Sequence, residues 1–127
     1  MKYFVLGGAR SGKSHHAQRL AQSLGTNLVY MATAEAGDEE MSQRIARHIA
    51  YRDETWKTVE APIDLRAAID STCRGDVVVL VDCLTLWLSN ILLAEMDIPQ
   101  EIERLVQAIA SVDSNLVLVS NEVGIGL

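Results

Sequence analysis

Eight residues near the start of the chain carry the plainest chemistry. Gly7-Gly8-Ala9-Arg10-Ser11-Gly12-Lys13-Ser14 satisfies the pattern G-x-x-x-x-G-K-[S/T] at every fixed position. The glycines let the backbone fold back and aim successive N–H groups inward as an anion nest. A helix starting near Gly12 adds its N-terminal partial positive charge. Lys13 reaches the β- and γ-phosphates as a point charge, and Ser14 offers a hydroxyl to Mg²⁺. Glycine makes up roughly 7% of average sequence, so a full chance match in 127 residues is rare. The expectation is a purine nucleoside triphosphate bound with Mg²⁺ on residues 7–14.

Such a site needs an acid at the end of a later central strand. Asp82 closes the run DVVVLVD at 76–82, where the carboxyl ends of strands converge on a ligand crevice. It can hold magnesium through water or contact the base. It can equally cap the helix expected at 83–94, because Asp favours that position.

A phosphate loop names a ligand and not a reaction. Residues 44–60 discriminate further. Arg44, His48 and Arg52 recur at i, i+4 and i+8, which on a helix stacks them along one face. Flanking arginines favour the neutral imidazole by charge repulsion and grip phosphate oxygens. His48 is therefore a candidate nucleophile toward an α-phosphate. A solvated basic face on a surface helix is the plain alternative. His15 and His16 follow the loop and are expected near solvent. Trp56 and Trp87 read as core or pocket wall. Glu60, after the strand-like WKTVE, is either a ribose ligand or a surface acid. The guanine signature N-K-x-D is absent, which argues against a small regulatory GTPase; the nearest string is Ser120-Asn121-Glu122-Val123-Gly124.

The elements that must position these groups alternate in kind. Apolar runs at 2–6, 27–32, 76–82 and 115–119 read as strands. Helical spacing marks 12–24, 37–52, 63–73, 83–94 and 99–112, with Asp38, Glu39 and Glu40 in the first turn of the second. The β-branched run at 76–82 suits a strand buried on both faces. Strand and helix in alternation predict an α/β fold, a mostly parallel sheet with helices on both faces.

Length and composition agree. The 127 residues fit one domain, with 49% hydrophobic and 22% charged residues. A net charge of −6 gives no overall basic field for nucleic acid or an anionic membrane. Cys73 and Cys83 are too few for a disulfide framework and read as free thiols in a reducing cytoplasm. No signal peptide and no membrane span is legible.

Taken in order, GGARSGKSHHAQ (7–18), YMATA (30–34), DEEMSQRIARHIAYR (38–52), WKTVEAP (56–62), LVDCLTLWLSN (80–90) and SNEVG (120–124) resemble the bifunctional adenosylcobinamide kinase / adenosylcobinamide-phosphate guanylyltransferase family of cobalamin biosynthesis. The resemblance runs over nearly the whole chain. It implies a three-layer P-loop NTPase with a RecA-like sheet, and a multifunctional transferase with two activities. ATP or GTP phosphorylates adenosylcobinamide. GTP then passes GMP through a guanylyl-histidine to adenosylcobinamide phosphate, giving adenosylcobinamide-GDP.

By resemblance the nucleophile is His48, with Lys13 as the other catalytic residue. Nucleotide contacts fall on Gly7, Gly8, Ala9, Arg10, Ser11, Gly12, Lys13 and Ser14, on Ala32, Thr33 and Ala34, on Ile49, Ala50, Tyr51 and Arg52, and on Glu60 and Asp82. Ser14 and Asp82 hold Mg²⁺. Ile49 stands where the family often has a basic residue. The family continues past N-E-V-G-x-G, so residues 1–127 are expected to be a single nucleotide-binding domain lacking a C-terminal helix and strand. The family is oligomeric, and a homo-oligomer, trimeric in form, is the expectation. The remaining readings are a simple P-loop small-molecule kinase and an inactive GTP-binding remnant.

Overall fold

The computed structural model describes residues 1–7, 13–34 and 56–121, with residues 13, 14 and 121 described by backbone alone. The elements run β1 (Lys2–Gly7), α1 (Lys13–Leu24), β2 (Leu28–Ala32), β3 (Trp56–Glu60), α2 (Leu65–Thr72), β4 (Val78–Asp82), α3 (Leu84–Leu93), α4 (Ile98–Ser111) and β5 (Asn115–Asn121). The strands form one sheet in the order β1-β5-β4-β2-β3. All four pairings are parallel. The helix expected at 37–52 lies outside the described residues.

Alternation along each strand sorts side chains onto two faces. Val29, Met31, Val79, Val81, Leu116 and Leu118 pack with Leu65 and Ile69 of α2, Trp87 and Ile91 of α3, and Leu105 and Ala108 of α4. Leu28, Tyr30, Val78, Leu80, Val117 and Val119 pack with Ala17 and Ala21 of α1 on the other face. The result is three layers. Connections running toward the β1 edge (β3 to β4, β4 to β5) lay their helices on one face. The connection from β1 to β2, running away, lays α1 on the other. One constant hand of crossover requires this arrangement.

The run at 76–82 behaves as its composition predicts. Every residue of β4 is buried, and β4 sits between β5 and β2. The apolar run at 2–6 does not. Among the described residues β1 pairs with β5 alone, and Phe4 and Leu6 are 62% and 66% exposed. Their register with Leu118 and Ser120 puts them on the face that carries α2, α3 and α4. Apolar composition reports what a strand can bury; it does not say whether a neighbour is there to cover it.

Local signals set the helix ends. Asp97 caps α4 by accepting from the Gln100 N–H at 3.2 Å, and Pro99 occupies the first turn, where no amide is needed. Gly75 turns the chain into β4 with a φ of 71°, in the left-handed region open to glycine.

Candidate nucleotide site at the carboxyl edge of the sheet

The phosphate-loop motif lies between a strand and a helix, the setting its chemistry needs. β1 ends at Gly7 and α1 begins at Lys13, so the helix N-terminus opens directly after the glycine-rich segment. Gly8, Ala9, Arg10, Ser11 and Gly12 lie outside the described residues. So do Arg44, His48, Ile49, Ala50, Tyr51, Arg52 and the Glu122-Val123-Gly124 string.

Asp82 ends β4 and is 9% exposed. Alternation gives it the face of Val78 and Leu80, the face on which α1 packs. Its carboxylate therefore stands at the sheet edge on the side from which α1 springs. Its Cα pairs with Val119, which pairs with Val5. Gly7 thus reaches two residues farther, about 7 Å at ordinary strand rise, past the end of β4.

The helix-capping alternative for Asp82 does not hold. The N-cap of α3 is Cys83, in extended backbone with no side-chain capping bond. One oxygen of Asp82, Oδ2, accepts instead from the Tyr30 hydroxyl at 2.7 Å. Tyr30 pairs with Leu80 across the β2–β4 ladder. Asp82 is then its diagonal neighbour on the same face, within reach of a long aromatic side chain.

Beyond the ladder, β2 and β4 are joined through Thr33. Its amide donates to the Asp82 carbonyl at 3.1 Å. Its hydroxyl donates to the Cys83 carbonyl at 2.8 Å and accepts from the Cys83 amide at 2.9 Å. Thr33 is fully buried, and Ala32 and Ala34 are 1% and 7% exposed. The Thr33 hydroxyl is thus engaged with the protein backbone, and its visible work is to fix the chain leaving β4.

A second tie comes from α3. The Asn90 side-chain amide donates to the Thr33 carbonyl at 2.8 Å and to the Pro62 carbonyl at 3.0 Å. The Trp87 indole donates to the Ile63 carbonyl at 2.9 Å. The segments leaving β2 and β3 are therefore fastened to one helix. Glu60 ends β3 in an exposed position. Both Glu60 and Asp82 pair with Ala32 from opposite sides, so the two acids stand two strand spacings apart, roughly 10 Å. That span suits the ends of a nucleoside polyphosphate rather than one shared ion.

On the other side of Asp82, the hydroxyls of Thr85 and Ser120 meet at 3.1 Å. His15 and His16 are exposed, as expected. Trp56 and Trp87 are buried at 8% and 4%. Cys73 and Cys83 are free and buried. Burial, helped by the charge of Asp70 and opposed by Lys2, pushes the Cys73 thiol up to about 11, which makes it a poor nucleophile.

Tyr30, Asn90 and the Thr85–Ser120 pair are absent from the sequence-based site. Asn90 left a faint signal, a lone amide in the apolar stretch LTLWLSNILL. Tyr30 opens the YMATA string, but nothing local marks its partner, which lies 52 residues away.

The residues present suit Mg²⁺. It takes one or two carboxylates and completes its octahedron with phosphate oxygens and water. One buried acid at the mouth of a phosphate loop is such a donor set. No group of three or more His, Cys, Asp or Glu is assembled among the described residues.

A parallel sheet with helices on both faces, the G-x-x-x-x-G-K-S sequence between β1 and α1, and an acid closing a central strand define a P-loop NTPase fold. The family model for cobinamide kinase / cobinamide phosphate guanyltransferase matches residues 3–127. The chain is 47% identical to the bifunctional adenosylcobalamin biosynthesis protein CobP of Pseudomonas aeruginosa, with all of this chain and 75% of the relative covered. It is 36% and 34% identical to the bifunctional adenosylcobalamin biosynthesis proteins CobU of Escherichia coli and Salmonella typhimurium, covering 78% of each. The chain belongs to the cobinamide kinase / cobinamide phosphate guanyltransferase family, a family of enzymes that are both kinases and nucleotidyltransferases.

Proposed function

We propose that this chain phosphorylates adenosylcobinamide and then transfers GMP from GTP to adenosylcobinamide phosphate through a guanylyl group carried on His48. The observation that carries the nucleotide half is Asp82, held at the end of β4 on the same face as α1, with Gly7, where β1 enters the phosphate-loop motif, reaching past it. The family match over residues 3–127 supports the two activities.

In the kinase step the substrate hydroxyl oxygen attacks the γ-phosphorus of ATP or GTP. The bond from that phosphorus to the bridging oxygen breaks, the nucleoside diphosphate leaves, and the hydroxyl proton passes to solvent. In the second reaction the neutral imidazole of His48 attacks the α-phosphorus of GTP. A P–N bond forms and pyrophosphate leaves. A phosphate oxygen of adenosylcobinamide phosphate then attacks that phosphorus, the P–N bond breaks, and His48 is released. Splitting the transfer in two replaces one difficult displacement with two easier ones.

Lys13 and the amides of residues 7–14 neutralise charge on the transferred and leaving groups. Arg52 steadies the α-phosphate, and Glu60 meets the ribose. Segments 32–34 and 49–52 line the nucleotide. Ser14 and Asp82 would hold Mg²⁺, which supplies positive charge to the phosphate oxygens.

The reading extends to organisation. Residues 1–127 form one domain that a further helix and strand complete. Phe4 and Leu6 lie uncovered on the α2–α4 face, and a crossover of the same hand leading past β1 would lay its helix there. Exposed Leu88, Leu92, Ile102 and Val106 on α3 and α4 support assembly into a homo-oligomer, a trimer. Among the described residues no helix is long and apolar enough to cross a membrane, which accords with a cytoplasmic enzyme.

The test is covalent labelling. Incubation with GTP labelled at the α-phosphate is expected to leave an acid-labile, base-stable label on the protein, and His48→Ala is expected to remove it. An undiminished label on that variant would rule out His48. A wild-type protein that phosphorylates adenosylcobinamide but takes up no label would be a simple kinase. One that binds GTP and turns nothing over would be a nucleotide-binding remnant.

A further inference from the structure

We infer that Tyr30 is the positioning residue for Asp82: its hydroxyl fixes one carboxylate oxygen so that the carboxylate is presented in a set orientation to the Mg²⁺ of a bound nucleotide. The inference rests on the role proposed above for Asp82 and adds a residue that the sequence-based site does not include.

Three observations carry it. The Tyr30 hydroxyl donates to Asp82 Oδ2 at 2.7 Å, and the bond is buried. Tyr30 itself is 3% exposed and packs among Leu28, Leu80 and Ala17 on the α1 face, so its ring has little freedom to swing away. The backbone on either side of the carboxylate is also fixed. Thr33 receives the Asp82 carbonyl on its amide, and its hydroxyl bridges both backbone groups of Cys83.

The main chain at 82–83 is thus held by Thr33, and the side chain is held by Tyr30. An Asp side chain turns about two bonds, and a fixed backbone leaves both free. The Tyr30 bond restrains that motion. A hydroxyl donating to a carboxylate is a charge-assisted bond, shorter and stronger than one between neutral groups. Carboxylates that ligate metals are commonly oriented by such partners, and losing the partner typically costs 10–100-fold in metal affinity.

The alternative is that Tyr30 only fills the core and satisfies a buried acid. The two roles separate in one measurement. Tyr30→Phe keeps the ring and removes the hydroxyl. The affinity for GTP is measured in excess Mg²⁺ and again in EDTA, and the ratio of the two dissociation constants reports the coupling between metal and nucleotide. A positioning role predicts that the ratio falls about 10-fold or more in Tyr30→Phe, while the affinity in EDTA stays within about two-fold of wild type. A core-filling role shifts both affinities together and leaves the ratio unchanged, which would overturn the inference.

Asp82→Asn serves as the reference. If it collapses the ratio and Tyr30→Phe does not, the positioning role falls and the Asp82 assignment stands. If neither changes the ratio, the Asp82 assignment falls and takes this inference with it. Melting of the ligand-free variants shows whether either is unfolded. Should Tyr30→Phe melt below the assay temperature, Tyr30→Trp, which keeps a buried ring and moves its polar donor, is tested by the same ratio with the same expectation.

Discussion

The centre of the sheet and its β1 edge are built on different principles. At the centre, β2 and β4 are buried along their whole length. Their carboxyl ends are cross-tied by Thr33, Tyr30 and Asn90. At the edge, β1 ends on Gly7, the first residue of the phosphate-loop motif, yet leaves Phe4 and Leu6 in the open. The lesson is a division of labour. The group that must hold a fixed position, Asp82, is anchored by packing and polar bonds made across the fold. The phosphate loop, in the role proposed for it, works through backbone amides, and that role asks of its strand only that it lead into α1.

The comparison breaks first at Leu80. It is 1% exposed between Val117 and Tyr30, and Leu80→Ala is expected to cost about 2–5 kcal/mol in chemical denaturation. A loss below 1 kcal/mol would mean the centre is not the tightly packed region described here. Next comes Asn90→Leu, which keeps volume but deprives the Thr33 and Pro62 carbonyls of their donor. The expected loss is about 1–3 kcal/mol, with weaker GTP binding because the ends of β2 and β3 are released. Unchanged stability and affinity would show that the tie is ornamental.

Phe4→Ser sharpens the contrast from the edge. With the side chain 62% exposed, the expected change in stability of this chain is within about 0.5 kcal/mol. Binding of an apolar dye should fall at the same time. A large destabilisation would show that the face is covered. The smallest effect is at Cys73. Its thiol keeps its proton in the folded state up to about 11, against an ordinary value of 9.0. The unfolded chain therefore releases that proton first as pH rises. Stability should fall modestly between those two values in wild type and less in Cys73→Ala.

Much of this molecule was legible in its residues. The G-x-x-x-x-G-K-S string pointed to a nucleotide, as the family match also does, because the phosphate binding proposed there is a local matter of backbone direction and one helix end. The run DVVVLVD announced a central strand because only a strand covered on both faces tolerates five apolar residues together. Strand and helix alternation gave the layers; the strands expected at 2–6, 27–32, 76–82 and 115–119 and the helices expected at 12–24, 63–73, 83–94 and 99–112 lie nearly where the described residues have them, the helix expected at 37–52 lies outside those residues, and WKTVE, only strand-like in the sequence, is β3.

Three things had to wait for the fold. The sheet order placed β5 between β1 and β4 and, among the described residues, left β1 paired on one side alone, which composition cannot express. The pairing of β2 with β4 brought Tyr30 to Asp82 across 52 residues. It also turned Asp82 from a possible helix cap into a held carboxylate. Asn90 became a tie only when three chain segments met at its amide. Local chemistry follows from neighbours along the chain, which the sequence states outright. Contacts between distant segments depend on register, and a shift of one residue would send each of these side chains to the opposite face.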